Sequence, residues 1–350
     1  MVDRAGGTGG GADAVRTREA GAEAPRRARW ALALMLLVLA PIGAEYAVGY
    51  DSSTGNPVAL ATGLLILAPL YGAPALLIHE LARRFGLRWP GILALAAAFG
   101  LLQAGVIDQS LFSMADPRIG SWNEQLLPTL IEPLGFAGYN ALNFVVGHTV
   151  WSFGIPIALV EAAGPRLGRR PWLRLPGLVL AVLLYLAAAA LILSEVVPGT
   201  GASAAQLAGS LAAVAVLAGY AFTLGRRAPR PRPDGRVPAP LVLSLLGLVA
   251  GFAFNLAPET WAGVAFGAAV LAATAWAVSR LARSPRWSGA HTAALAAGAL
   301  AARALIGYLA DPIGEVPQAA QYAHNTVMVL GAVLLGTWLV RRNRRRDTAA

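Results

Sequence analysis

The sequence predicts an all-α fold: a polytopic transmembrane helix bundle of about ten spans, with both termini cytoplasmic. Three observations predict it. The 350 residues are 57% hydrophobic and only 13% charged, with mean hydropathy +0.59, too few charges to keep a soluble surface dispersed. The apolar residues fall in stretches of about 20, the length that crosses ~30 Å of hydrocarbon. The arginines fall between those stretches, and only between alternate ones.

In chain order, residues 1–29 are Gly-, Ala- and Arg-rich and are expected to be a disordered cytoplasmic tail. The first apolar stretch, 30–49, is long enough to span and lacks a clear small-residue cleavage site. Further spans are expected at 57–79, 90–107, 139–163, 176–196, 203–224, 238–256, 260–281, 289–309 and 320–340. Pro57, Pro90, Pro176 and Pro238 open spans, where a missing N–H costs least. Pro41, Pro69, Pro74 and Pro156 lie inside spans and imply kinks. The six spans of 30–225 carry one long outer loop, 108–138, whose apolar residues among acids and prolines suit an interfacial helix or a re-entrant cap. Residues 226–237 form a stiff Pro/Arg linker. Four spans follow in 238–341, then a basic tail, 342–350.

All basic residues other than histidine are arginine. Every one of the 28 except Arg118 and Arg303 lies in the N-terminal tail, the even-numbered connections or the C-terminal tail. The odd-numbered connections hold Asp51, Asp116, Glu124, Glu132, Glu259, Asp311 and Glu315. This alternation places both termini inside, in a bacterial cytoplasmic membrane. The net charge of +10 therefore marks topology and contact with the bilayer, including anionic lipid head groups at the cytoplasmic arginine clusters, and not nucleic acid. Protein partners are not indicated. The chain has no cysteine, which excludes disulfides, thiolate metal sites and a cysteine nucleophile.

Ionisable groups inside a span are costly and normally face the bundle interior. At 1.5 Å per residue, His148 lies roughly 5 Å outward of the midplane, Gln103 and Arg303 roughly 6 Å, and Glu45 and His324 roughly 9 Å. These residues and Asp108 come from different spans but share one depth band. They predict an outward-facing polar cavity for a small or lipidic ligand, with Asn143 and Trp151 shaping it and Glu45 or Glu195 neutralising Arg303. The competing structural account has His148 satisfying Asn143 or a carbonyl freed by Pro156. His79, Glu80 and Glu161 sit at the inner boundary, where electrostatic locks with Arg83, Arg84 or Arg166 are expected. No cofactor is predicted. Under an alternative reading, His148, His324 and Glu45 would ligate zinc, although no HExxH is present.

The stretches "LAPLYGAPALLIHELARRFGLRWPGILALAAAFGLLQAGVIDQSLF" (67–112) and "GHTVWSFGIPIALVEA" (147–162) resemble an uncharacterised family of bacterial multi-pass membrane proteins. An acidic pair on one span, then FxxxH, then a later histidine is similar to the CPBP (CAAX-processing-type) intramembrane metalloproteases. Phe144 and His148 match FxxxH, and His324 followed by Asn325 matches the later element. Gln103 and Ala104 stand where the acidic pair belongs. The resemblance thus implies a binding protein or an inactive homologue, unless Asp108 or Glu45 replaces the general base.

Overall fold

The computed structural model describes residues 26–114, 120–196, 201–232 and 235–348, and it is 74% helical. The long helices are α1 (Arg26–Tyr46), α2 (Pro57–Phe85), α3 (Trp89–Ile107), α5 (Gly138–Ala163), α6 (Leu175–Ser194), α7 (Ala204–Phe222), α9 (Trp261–Leu281), α10 (Gly289–Ile306) and α11 (Gln318–Asp347). A five-residue helix, α4 (Trp122–Leu126), precedes α5. The helix α8 (Pro240–Asn255) has 16 residues, about 24 Å.

Ten apolar helices thus stand where ten spans are expected. Among the described residues nine are long and apolar enough to cross a membrane, and α8 is short for the task. The bounds differ locally. The first helix starts at Arg26 rather than Trp30, and the last runs to Asp347 through most of the basic tail. Residues 1–25, together with Asp116 and Arg118, lie outside the described residues.

Local chemistry sets the helix ends. Asn56, Ser203, Thr260 and Ser288 cap α2, α7, α9 and α10 by accepting from backbone N–H groups of the first turn. Gly86 ends α2 at φ +68°, a conformation that suits a residue without Cβ.

Four helices change to π-helical turns partway along: Ile42–Tyr46 in α1, Ala68–Gly72 in α2, Gln103–Ile107 in α3 and His148–Gly154 in α5. Three of the four adjoin the internal prolines. Pro41 precedes the first, Pro69 lies in the second with Pro74 just beyond, and Pro156 follows the fourth. A proline frees the carbonyl four residues before it, and a π turn is one way to re-satisfy the backbone.

The packing separates core from periphery. One buried cluster runs from Leu32 to Leu339 and draws on helices both before and after residues 226–237. The alanine-rich helix α10 is central, packing on α8, α11 and the second half of α5. Small residues let backbones approach closely, the usual device where lipid removes the hydrophobic drive between helices. Gly43 admits the Trp151 carbonyl to α1, and a Cβ on Gly100 would meet His148 Cβ at 2.7 Å. By contrast α6, α7 and α9 expose Leu180, Leu183, Val216, Phe266 and Trp276.

The connections gather at two ends. At the arginine-rich end, Arg88 N–H donates to Gly225 O (3.0 Å) and Arg232 N–H to Arg283 O (3.0 Å). Glu80 accepts from Trp172 N–H (2.6 Å), and Asn343 donates to Ala162 O (3.0 Å). At the opposite end, Ile313 N–H donates to Tyr50 O (2.7 Å), Gln206 to Leu134 O (2.9 Å), and Ala202 N–H to Gln109 Oε1 (2.6 Å). The 108–138 loop folds back at this second end. It carries α4 and a short antiparallel pair, β1 (Leu130–Ile131) with β2 (Phe136–Ala137), and Trp122 stacks on Phe144.

Candidate functional site

The π turns carry four of the eight candidate side chains. Glu45 lies in the π turn of α1, Gln103 opens that of α3, and His148 and Trp151 lie in that of α5. Tyr71, which sequence reasoning passed over, lies in the π turn of α2. A π turn widens the helix and re-aims its side chains, and such turns are frequent at functional sites.

Glu45 is the hub. Its Oε1 accepts from Tyr71 OH (2.5 Å) and its Oε2 from Tyr50 OH (2.6 Å). Tyr50 lies beyond the end of α1, where the adjacent carboxylate and burial hold its phenol well above the usual tyrosine range, so it stays a donor. The Tyr71 ring lies 5.7 Å from the His148 ring, and His148 Nδ1 is 3.2 Å from Ser152 Oγ. Glu45 is within electrostatic reach of both His148 and Arg303.

Arg303, in the last turn of α10, flanks this hub. Its Nη1 donates to Asn255 Oδ1 (2.8 Å) and its guanidinium lies 5.3 Å from the Trp151 ring centroid. The Trp151 indole N–H donates to Ala299 O (3.1 Å), which fixes the ring. The expected ion pair with Glu45 or Glu195 does not form: among the described residues Arg303 has no carboxylate within 4.0 Å. Glu45 is already taken by two hydroxyls, and Glu195 is exposed past the end of α6.

Gln103 and Asp108 form a second flank. Gln103 Nε2 donates to Asp108 Oδ2 (3.1 Å), and Ser110 N–H donates to Oδ1 (2.9 Å). Asp108, just past α3, is within electrostatic reach of Tyr71 and of Tyr185, whose buried hydroxyl has no hydrogen-bond partner among the described residues.

His324 belongs elsewhere. Its Nε2 donates to Tyr46 O (2.7 Å), a bond that ties α11 to α1 beside Gln321 and the fully buried Asn325. The Asn143 side chain makes no hydrogen bond among the described residues and is not the partner of His148, which pairs with Ser152 instead. Among the described residues no three His, Cys, Asp or Glu side chains converge as a metal ion requires. The set His148, His324 and Glu45 is therefore not assembled.

The inner-boundary residues lock the arginine-rich end, as their position predicts. Glu161 Oε1 accepts from both Nε (2.8 Å) and Nη2 of Arg83. Glu80, fully buried, accepts from Arg84 Nη2 (3.0 Å) and from the Trp172 and Leu173 amides. His79 stacks on Trp172 at 3.6 Å and donates from Nε2 to Gly168 O (3.0 Å). Arg166 takes no part in these bonds.

Sequence reasoning missed Tyr50, Tyr71, Ser152 and the role of Asn255 as partner to Arg303. The internal prolines were the available signal for three of the π turns; nothing comparable marks Gln103–Ile107.

No curated protein and no solved structure matches the chain. The model of an uncharacterized membrane protein family matches residues 34–343. That span takes in all or most of every long helix and the side chains Glu45, Tyr71, His148 and Arg303, and the chain belongs to this membrane protein family.

Proposed function

We propose that this membrane protein binds, and moves or presents, a small or lipidic ligand at the polar centre formed by Glu45, Tyr71, His148 and Arg303. One observation carries the proposal. Polar side chains from three helices, Glu45, Tyr71 and His148, lie on π turns within reach of one another, with Arg303 beside them and, among the described residues, no carboxylate within 4.0 Å of its guanidinium. Ionisable groups held inside apolar helices mark ligand or ion pathways by default. The positive-inside rule favours the arginine-rich end in the cytoplasm of a bacterial cell, with both termini inside and the centre nearer the outer side. On α11, Arg341, Arg342, Arg345 and Arg346 line a groove next to Trp338, suited to anionic lipid head groups of the inner leaflet.

A CPBP-type hydrolase needs histidines and a carboxylate around one ion. The separate engagements of His148 with Ser152 and of His324 with the Tyr46 carbonyl favour binding over that chemistry.

The test is retention of a ligand through purification in mild detergent. Mass spectrometry of wild-type protein should find a stoichiometric small molecule or lipid that folded His148→Ala and Glu45→Gln proteins lack. Identical profiles for wild type and variants would end the proposal.

A further inference from the structure

We infer that the ligand carries an anionic group, a carboxylate or a phosphate, and that Arg303 receives it with Trp151 and Asn255. The inference rests on the polar-centre reading and adds the charge of its ligand. A guanidinium presents five N–H donors in a planar fork and stays charged at any physiological pH. The described residues satisfy one of those five, through Asn255 Oδ1 at 2.8 Å. Arg303 Nε is buried with no hydrogen-bond partner. A half-buried guanidinium whose Nε is shut away from solvent with no counter-charge within 4.0 Å among the described residues is costly, so a chain that keeps one has a use for it.

The neighbours hold the fork ready but do not fill it. Trp151 lies 5.3 Å from the guanidinium carbon and is fixed by its own bond to Ala299 O. The nearby acid, Glu45, acts only through space, because Tyr50 and Tyr71 occupy its two oxygens. A carboxylate or phosphate oxygen is the partner that a fork of this kind accepts in two parallel bonds. Arg303 stands in the last turn of α10, at the end away from the arginine clusters. The anion therefore reaches it from the opposite leaflet or solution from that served by Arg341–Arg346.

The experiment uses the full chain in nanodiscs of phosphatidylcholine, with and without phosphatidylglycerol, and titrates inorganic phosphate and succinate at constant ionic strength. Thermal unfolding reads binding in wild type, Arg303→Lys and Arg303→Gln. Binding of at least one of these anions to wild type, weakened roughly tenfold or more in Arg303→Gln, is expected. Arg303→Lys, which keeps the charge but loses the fork, should fall between. Dependence on phosphatidylglycerol alone identifies a head group as the source, and dependence on phosphate or succinate identifies a free anion. If Arg303→Gln does not fold, Arg303→Lys and Asn255→Ala carry the comparison. Equal responses in wild type and variants, or none to any anion, would overturn the inference. A neutral molecule retained through His148 but indifferent to Arg303 would also overturn it, yet leave the polar-centre reading standing.

Discussion

Tyr71 of α2 donates its hydroxyl proton to Glu45 of α1 across 2.5 Å, joining two helices at their π turns. Both residues are held inside the bundle, where a hydrogen bond to a charged acceptor contributes about 1.5–3 kcal/mol. Tyr71→Phe should lower unfolding stability in detergent by that amount, while Tyr71→His, able to donate, should lose less. Equal losses would show that ring packing, rather than the hydroxyl, joins the helices.

The arginine-rich end is closed by side chains that cannot be removed singly without leaving a charge behind. Glu161→Leu strands Arg83, and Arg83→Met strands Glu161. Each single change should cost about 3 kcal/mol or more, and the double change should cost less than their sum, since a well-packed apolar pair replaces a buried ion pair at little net loss. A double-mutant cycle by chemical or thermal unfolding measures this directly. Additive losses would mean that the pair is solvated and weak.

Asp108 gives the protein a pH dependence. Burial raises its carboxyl above the ordinary aspartate range, against the opposing bonds from Ser110 and Gln103. An acid with a raised folded value stabilises the fold when protonated, and that contribution is lost as pH climbs from the unfolded value through the folded one. Asp108→Asn keeps an acceptor for Ser110 N–H and sheds the charge. Its melting temperature should match or exceed wild type near neutral pH, with a flatter profile through the acidic range. A wild-type slope that survives in Asp108→Asn would assign the titration to another group.

The absence of cysteine makes topology directly measurable. Ser52→Cys and Glu315→Cys lie on exposed positions at the arginine-poor end, and Arg286→Cys lies on one at the other. In intact bacterial cells a membrane-impermeant maleimide should label the first two and spare the third until the membrane is opened. Because α8 is short, the decisive comparison is Ser52 with Glu315: the two share an end only if α8 crosses. Labelling of one but not the other would reduce the bundle to nine crossings.

Much of this architecture was legible in the residues. Apolar runs and the arginine alternation located ten helices and sorted their connections into two ends, because hydrophobic length and loop charge are local properties of the chain. Glu45, His148 and Arg303, three of the polar residues that the spans hold, lie within electrostatic reach of one another. Partner choice was not legible. Whether Arg303 meets Glu45 or Asn255 depends on the rotation of α10 against α8, and that rotation is set by glycine and alanine contacts such as Gly251 against Ala302, which no single side chain announces. His324 shows the same limit. Its depth matches that of Glu45, but its ring points at the Tyr46 carbonyl. Tyr50 and Tyr71 escaped notice because tyrosine in a span ordinarily needs no explanation, and only the shift in helix phase at the π turns brings both hydroxyls to one carboxylate.

That shift has a mechanical consequence. A π turn holds one residue more than the regular helix needs, and one residue is about 100° of rotation. Deleting Gly72 from the π turn of α2 would take up the slack and return that turn to regular helix, drawing Tyr71 off the shared centre while the flanking segments kept their faces and the apolar length of the rod barely changed. The four surplus residues therefore act as spacers that keep the polar faces in phase, and the bundle can lose its alignment without losing any of its crossings.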